Sequence, residues 1–136
     1  MKRVLTTILF ALLAITVSLP STMAKSPKQQ GIITVKDGQF MRNGKPYYFV
    51  GTNFWYGAIL GSEGEGGNRE RLMKELDFMK ANGIDNLRIL IGGEGENGLL
   101  GKIEPNQQTE PGVYNDAVLE GLDFLMMELG KRNMTA

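Results

Sequence analysis

Gly83-Ile84-Asp85-Asn86-Leu87-Arg88-Ile89-Leu90-Ile91-Gly92 is an aliphatic run closed by glycine at both ends, with an arginine in its middle. A short apolar run with such borders fits a parallel strand covered on both faces. Side chains alternate across a strand, so Leu87, Ile89 and Ile91 share one face while Asn86, Arg88 and Leu90 share the other. The first face suits packing against helices. The second carries a permanent cation into an interior, where an unpaired charge costs several kcal/mol in order of magnitude. Residues 84–91 are therefore expected to be a fully buried strand whose Arg88 meets an anion, and no obvious partner stands in the chain.

Outward from this strand the pattern alternates. Toward the N-terminus, Leu72, Leu76 and Met79 recur at helical spacing, with Met73 and Phe78 widening the stripe, Asn68 as cap and Gly83 as left-handed stop. Before that helix, residues 61–67 are a glycine-rich loop, reached from a strand that runs through Phe49-Val50-Gly51-Thr52 into Asn53-Phe54-Trp55-Tyr56. Earlier still, residues 32–35, 39–42 and 46–50 are strand candidates; Asp37-Gly38 closes the first and Asn43-Gly44 joins the others, which predicts a small antiparallel meander.

Toward the C-terminus, a loop over residues 92–113 leads to a second helix. Asn115 is its cap, Val118, Leu119, Leu122, Leu125, Met126 and Leu129 its core face, and Gly130 its end. Met134-Thr135-Ala136 reads as the start of a third strand. Strand, helix, strand, helix, strand is the order of a parallel α/β fold. Two parallel strands leave raw edges and a half-covered sheet, so the chain is expected to stop partway through a domain.

Composition narrows the chemistry. The 136 residues contain no cysteine and no histidine, which excludes disulfides, thiol catalysis, histidine triads and imidazole metal sites from this stretch. Fifteen basic and 15 acidic residues balance, leaving no net field to recruit nucleic acid or anionic lipid. Residues 1–24 read as a signal peptide: Met1-Lys2-Arg3 is basic, residues 4–19 are mostly apolar, and Thr22-Met23-Ala24 is a small-x-small cleavage pattern. That core of about 16 residues is short of the roughly 20 that span a bilayer. Residues 25–31 form a polar linker, residues 32–136 the domain, and the expected destination is the periplasm or the exterior.

Several motifs have plainer roles beside the chemical ones. Gly93-Glu94-Gly95-Glu96-Asn97-Gly98 has G-x-G-x-x-G spacing, but no helix opens at its end and its glutamates would repel a pyrophosphate. Those glutamates, like Glu63 and Glu65, fit solvated loop positions better than an acid/base pair or calcium ligands. Trp55 and Tyr56 lie just past the C-terminal end of a parallel strand, where ligand-binding loops of such folds gather. With Asn53 they are the candidate substrate contacts: the only tryptophan can offer its flat face to a sugar ring, or it can simply plug the core.

Four segments taken in order resemble the start of the endo-β-1,4-mannanases of glycoside hydrolase family five: Phe49-Val50-Gly51-Thr52-Asn53-Phe54-Trp55-Tyr56-Gly57; Arg71-Leu72-Met73-Lys74-Glu75-Leu76-Asp77; Gly83-Ile84-Asp85-Asn86-Leu87-Arg88; and Pro111-Gly112-Val113-Tyr114-Asn115-Asp116 with Gly121-Leu122-Asp123-Phe124-Leu125. The resemblance implies the N-terminal portion of a (β/α)8 TIM barrel, with the meander over its bottom. It implies retaining hydrolysis by two glutamates from later strands, both absent here, so that this stretch alone is inactive. Arg88 matches the second-strand arginine beside the nucleophile, and Trp55 falls in the sugar cleft. No cofactor or metal is implied. The partner is β-mannan or a related polysaccharide, with no membrane contact after signal cleavage and a monomer at full length. An endo-β-1,4-glucanase on the same barrel and a non-catalytic glycan-binding remnant are the alternatives.

Overall fold

The computed structural model describes residues 31–90, 93–98 and 103–136. The expectations for the signal peptide, for most of the linker, and for Ile91 and Gly92 lie outside them.

The meander forms as expected. Strands β1 (Ile33–Lys36), β2 (Gln39–Arg42) and β3 (Lys45–Pro46) pair antiparallel in sequence order. Both hairpin turns hold two left-handed residues, Asp37 (φ 50°) with Gly38 (77°) and Asn43 (52°) with Gly44 (74°), the pattern whose twist matches the flanking strands. The third strand is shorter than expected. Pro46 has no N–H to continue the ladder, and after the Tyr47 N–H donates to Phe40 (2.7 Å) the chain turns away.

It turns into β4 (Gly51–Asn53), which pairs in parallel with β5 (Asn86–Arg88) in the register Gly51↔Asn86, Thr52↔Leu87, Asn53↔Arg88. Thr135 bridges Asn86 in parallel, its carbonyl taking the Leu87 N–H at 2.9 Å. The third strand therefore begins where the sequence places it. Tyr47 reaches the same spot, its hydroxyl 3.0 Å from Thr135 Oγ1, which itself receives Asn86 Nδ2 at 2.8 Å. The meander is thereby fastened to the N-terminal ends of the parallel strands.

Three helices pack on one side of this sheet: α1 (Gly57–Gly61), α2 (Arg69–Ala81) and α3 (Asp116–Lys131). Between them and the sheet lies the core of Phe54, Leu60, Leu72, Leu76, Met79, Leu87, Leu125, Leu129 and Met134. The α2 cap is as expected, Asn68 Oδ1 accepting from the Arg71 N–H at 2.9 Å, and Gly83 (φ 81°) follows the helix end. Asn115 caps α3 in the same way.

Several expectations are corrected. The strand carrying Arg88 is three residues long, and Arg88 is exposed, because its face of the sheet looks onto an open hollow of about 470 Å³ lined by Phe49, Asn53 and Asn86 among others. Phe78 is 70% exposed beside the free edge of β4, and Met126 is 46% exposed, so neither joins the core stripes. Helix α3 runs past Gly130, and the left-handed residue that follows it is Asn133 (φ 57°).

Two elements are additional. The loop before α3 holds a hairpin of β6 (Gln108–Glu110) and β7 (Val113–Tyr114) around Pro111-Gly112. The other, α1, exists because glycines let two backbones touch. A Cβ on Gly61 would stand 2.2 Å from the Gly121 carbonyl oxygen, and one on Gly121 would stand 2.1 Å from that of Ala58.

Candidate active site

The C-terminal ends of β4 and β5 bring Asn53 and Arg88 side by side on the inner face. Main-chain pairing fixes the ends, the Phe54 N–H donating to the Arg88 carbonyl at 2.9 Å. Arg88 Nη1 donates to Asn53 Oδ1 at 3.4 Å, a long bond to a neutral acceptor. Among the described residues no carboxylate pairs with Arg88. Arg88 lines the open hollow, an arrangement that suits a carboxylate arriving from outside the two strands.

Phe54, Trp55 and Tyr56 follow β4 and divide the work. Phe54 is the core plug, at 2% exposure, whereas Trp55 is half-exposed. The Trp55 ring stands edge-on to Tyr56 at 5.1 Å between centroids. Tyr56 turns outward from the sheet: its hydroxyl donates to Glu75 Oε2 (2.8 Å), and Arg71 donates to Glu75 Oε1 (2.6 Å) while its guanidinium lies 5.4 Å from the Tyr56 ring centre. Burial, the hydrogen bond to Glu75 and the charge of Glu75 raise the Tyr56 pKa above its usual 10.0, so the phenol stays a donor. The hydrogen bond from Arg71 to Glu75, with the Glu75 charge, likewise raises the Arg71 pKa.

Of the residues singled out in the sequence, Asn53 and Arg88 therefore share the inner face, while Trp55 and Tyr56 stand beyond it on the α1 side. Arg71 and Glu75, and Glu104, which lines one hollow with Trp55 and Tyr56, were not anticipated as neighbours of the aromatic pair. The i,i+4 spacing of Arg71 and Glu75 was the one visible signal.

Of the glycines in residues 93–98, Gly93 serves packing, while Gly95 (φ 93°) and Gly98 (φ 87°) take left-handed turns. Asn106 is fully buried beneath them, its Nδ2 on the Gly95 carbonyl (2.7 Å) and its N–H on Asn97 Oδ1 (3.0 Å). A Cβ on Gly93 would come within 2.4 Å of Asn106 Oδ1. Glu63 pairs with Arg69 at 2.5 Å. Among the described residues no group of three or more acidic, cysteine or histidine residues could hold a metal, and no helix is long and apolar enough to cross a membrane.

Residues 30–136 match the family model described as GH family 5 beta-mannosidase-like. The chain is 31% identical over 102 residues to mannan endo-1,4-beta-mannosidase 3 of Solanum lycopersicum, covering 74% of this chain and 23% of that protein, and 30% identical to mannan endo-1,4-beta-mannosidase 1 of the same plant over the same length and shares. It is similar to the crystal structure of a glycoside hydrolase family 5 mannosidase from Rhizomucor miehei, with a TM-score of 0.73 at 35% identity over 78% of this chain and 26% of that one. A variant of that mannosidase in complex with mannosyl-fructose gives 0.72 at 36% identity, over 76% and 26%. The chain thus spans about a quarter of the length of these relatives.

Proposed function

The chain belongs to the β-mannosidase-like group of glycoside hydrolase family 5, and from that premise we propose that it is the N-terminal part of an exported endo-β-1,4-mannanase. The observation that carries the endo-mannan reading is the likeness over 102 residues to two plant mannan endo-1,4-beta-mannosidases. In the whole enzyme two glutamates from later strands perform retaining hydrolysis: one attacks the anomeric carbon and the other protonates the leaving oxygen, then activates water. Arg88 is a positioning residue. Its guanidinium holds the nucleophile ionised and oriented, supported by its place at the open strand end and by its lack of a described ion-pair partner. Asn53 steadies Arg88 and lies within reach of substrate hydroxyls. Trp55 offers its exposed ring to a sugar, with Tyr56 behind it. Export rests on the leader pattern of residues 1–24.

A second reading, an exo-acting β-mannosidase, draws on the name of the fungal structures and the mannosyl-fructose bound in one of them. Parallel assays of the intact protein on β-mannan and on carboxymethylcellulose test both. The proposal expects mannan to be cut, with viscosity falling well ahead of reducing-sugar release. Slow viscosity loss with mannose as the first product selects the exo reading, and preferential cleavage of carboxymethylcellulose overturns both.

A further inference from the structure

Strand β5 is laced to a neighbour on each side by the side chains of its inner face. Arg88 Nη1 reaches Asn53 of β4 at 3.4 Å, and, lower on the same face, Asn86 Nδ2 reaches Thr135 Oγ1 at 2.8 Å. Asn86 and Thr135 are register partners, so their side chains point the same way. Gly51, on the opposite side of Asn86, carries no side chain; a Cβ there would press to 3.3 Å from Asn86 Oδ1. The Asn86 amide thus spans the inner face from Gly51 to Thr135.

The lower rung is completed from outside the parallel sheet. A threonine hydroxyl has one proton to give and room for two incoming bonds. Here its proton goes to the Asp85 carbonyl (3.3 Å) and it receives Asn86 Nδ2, so the remaining neighbour, the Tyr47 hydroxyl at 3.0 Å, is a donor to it. Tyr47 comes from the end of the meander. We propose that Tyr47 is a positioning residue for the reaction: through Thr135 and Asn86 its hydroxyl fixes the height of β5 and with it the aim of the Arg88 guanidinium.

The need for such a tie follows from the strand itself. Strand β5 is three residues long, and the bond from Arg88 to Asn53 is long and made to a neutral acceptor. Neither holds a guanidinium to the few tenths of an ångström that charge stabilisation at a reacting carboxylate requires. The node at Thr135 joins three segments of chain that are distant in sequence, and Phe49, stacked on Tyr47 at 5.8 Å, lines the same hollow as Asn86 and Arg88. The Tyr47 ring is held without its hydroxyl, by Phe49 on one side and by the Arg42 guanidinium 5.5 Å from its centre. Tyr47→Phe therefore deletes one bond and keeps the packing.

The inference rests on the role given to Arg88 above. In the intact protein, kcat and KM on β-mannan are measured across pH for the parent, Tyr47→Phe, Thr135→Val, Thr135→Ser, the double variant Tyr47→Phe with Thr135→Val, and Arg88→Ala, each checked for its fold by circular dichroism. Tyr47→Phe should lower kcat about fivefold, the order of one neutral hydrogen bond, with KM unchanged. A nearby cation lowers the pKa of a carboxyl group, so a worse-aimed Arg88 should move the acid limb of kcat/KM to higher pH, by about half a unit. Thr135→Ser, which keeps the hydroxyl, should behave as the parent, and the double variant should be no slower than Thr135→Val alone. A Tyr47→Phe protein with the parent's kcat, an unmoved acid limb, or additive losses in the double variant overturns the proposal, even where stability falls. Arg88→Ala separates the two failures: if it is slow while Tyr47→Phe is not, only the tie is wrong, and if it is as fast as the parent, the role of Arg88 itself fails. For a parent inert on mannan the same series is read on carboxymethylcellulose, and a parent inert on both overturns the positioning role together with the function.

Discussion

Replacing Gly121 by alanine sets two effects of opposite sign against each other. In a helix interior alanine is favoured over glycine by about 1 kcal/mol, so propensity alone predicts a more stable protein. The packing predicts the reverse. The added methyl would stand 2.1 Å from the Ala58 carbonyl oxygen and 2.6 Å from the Ser62 N, both main-chain atoms that cannot rotate aside. Overpacking costs about 1–3 kcal/mol, and a clash with fixed backbone belongs at the upper end of that range. The net expectation is a loss of about 2 kcal/mol. In urea, where the free energy falls by about 1–3 kcal/mol per molar, the midpoint should drop by about 1 M. Gly130 is the internal control: it lies in the same helix, is exposed and has nothing within 4 Å of its would-be Cβ. Gly130→Ala should therefore stabilise by up to about 1 kcal/mol. Urea unfolding of the three proteins, followed by far-UV circular dichroism, decides the matter. A Gly121→Ala protein as stable as its parent would refute the α1–α3 backbone contact, and with it the seat of the Trp55–Tyr56 pair at the start of α1.

Other consequences are simpler. Asn68→Ala removes the α2 cap and should cost about 1 kcal/mol in the same unfolding assay, with Asn68→Ser restoring most of it. Glu128 is buried, which by itself would raise its pKa, but hydrogen bonds from Lys131 and Arg132 outweigh burial and hold it below its ordinary 4.5. Its contribution to stability is thus complete above that ordinary value and is lost as pH falls through the lowered one; unfolding measured from neutral to acid pH should show this loss in the parent and a flatter profile in Glu128→Gln. Trp55→Ala in the intact enzyme should raise KM for short manno-oligosaccharides about tenfold with little change in kcat, whereas a fall confined to kcat would contradict a binding role.

Much of this was legible in the sequence because it rests on local rules. Asp37-Gly38 and Asn43-Gly44 specify their turns by cheap positive φ, Asn68 and Asn115 specify helix starts, and Leu87 declares the helix-facing side of its strand. What was not legible depends on partners distant in the chain. A helix as short as α1 completes barely one turn and leaves no periodicity to detect; it is held by close contacts at Gly57, Gly61 and Gly121, and nothing in the sequence pairs Gly61, read as loop, with Gly121, read inside a helix. Arg88 was placed in an interior by the company it keeps, yet its face of the sheet is open in the described structure. Glu128 pairs with Arg132 at the legible i,i+4 spacing, but the further bond from Arg132 to Asp77 of α2 crosses helices and no spacing reveals it. The candidate site divides in the same way: Asn53, Arg88 and Trp55 could be named from their place at strand ends, while Glu104 needed the folded loop.

The central claim is that Arg88 orients the nucleophile of a β-mannan hydrolase. Its most direct test is kcat and KM on β-mannan for Arg88→Ala in a protein carrying all eight barrel strands. Loss of one preorganised contact to the reacting carboxylate predicts a fall in kcat of about 100-fold or more with KM changed only a few-fold. A kcat equal to that of the parent would contradict the account.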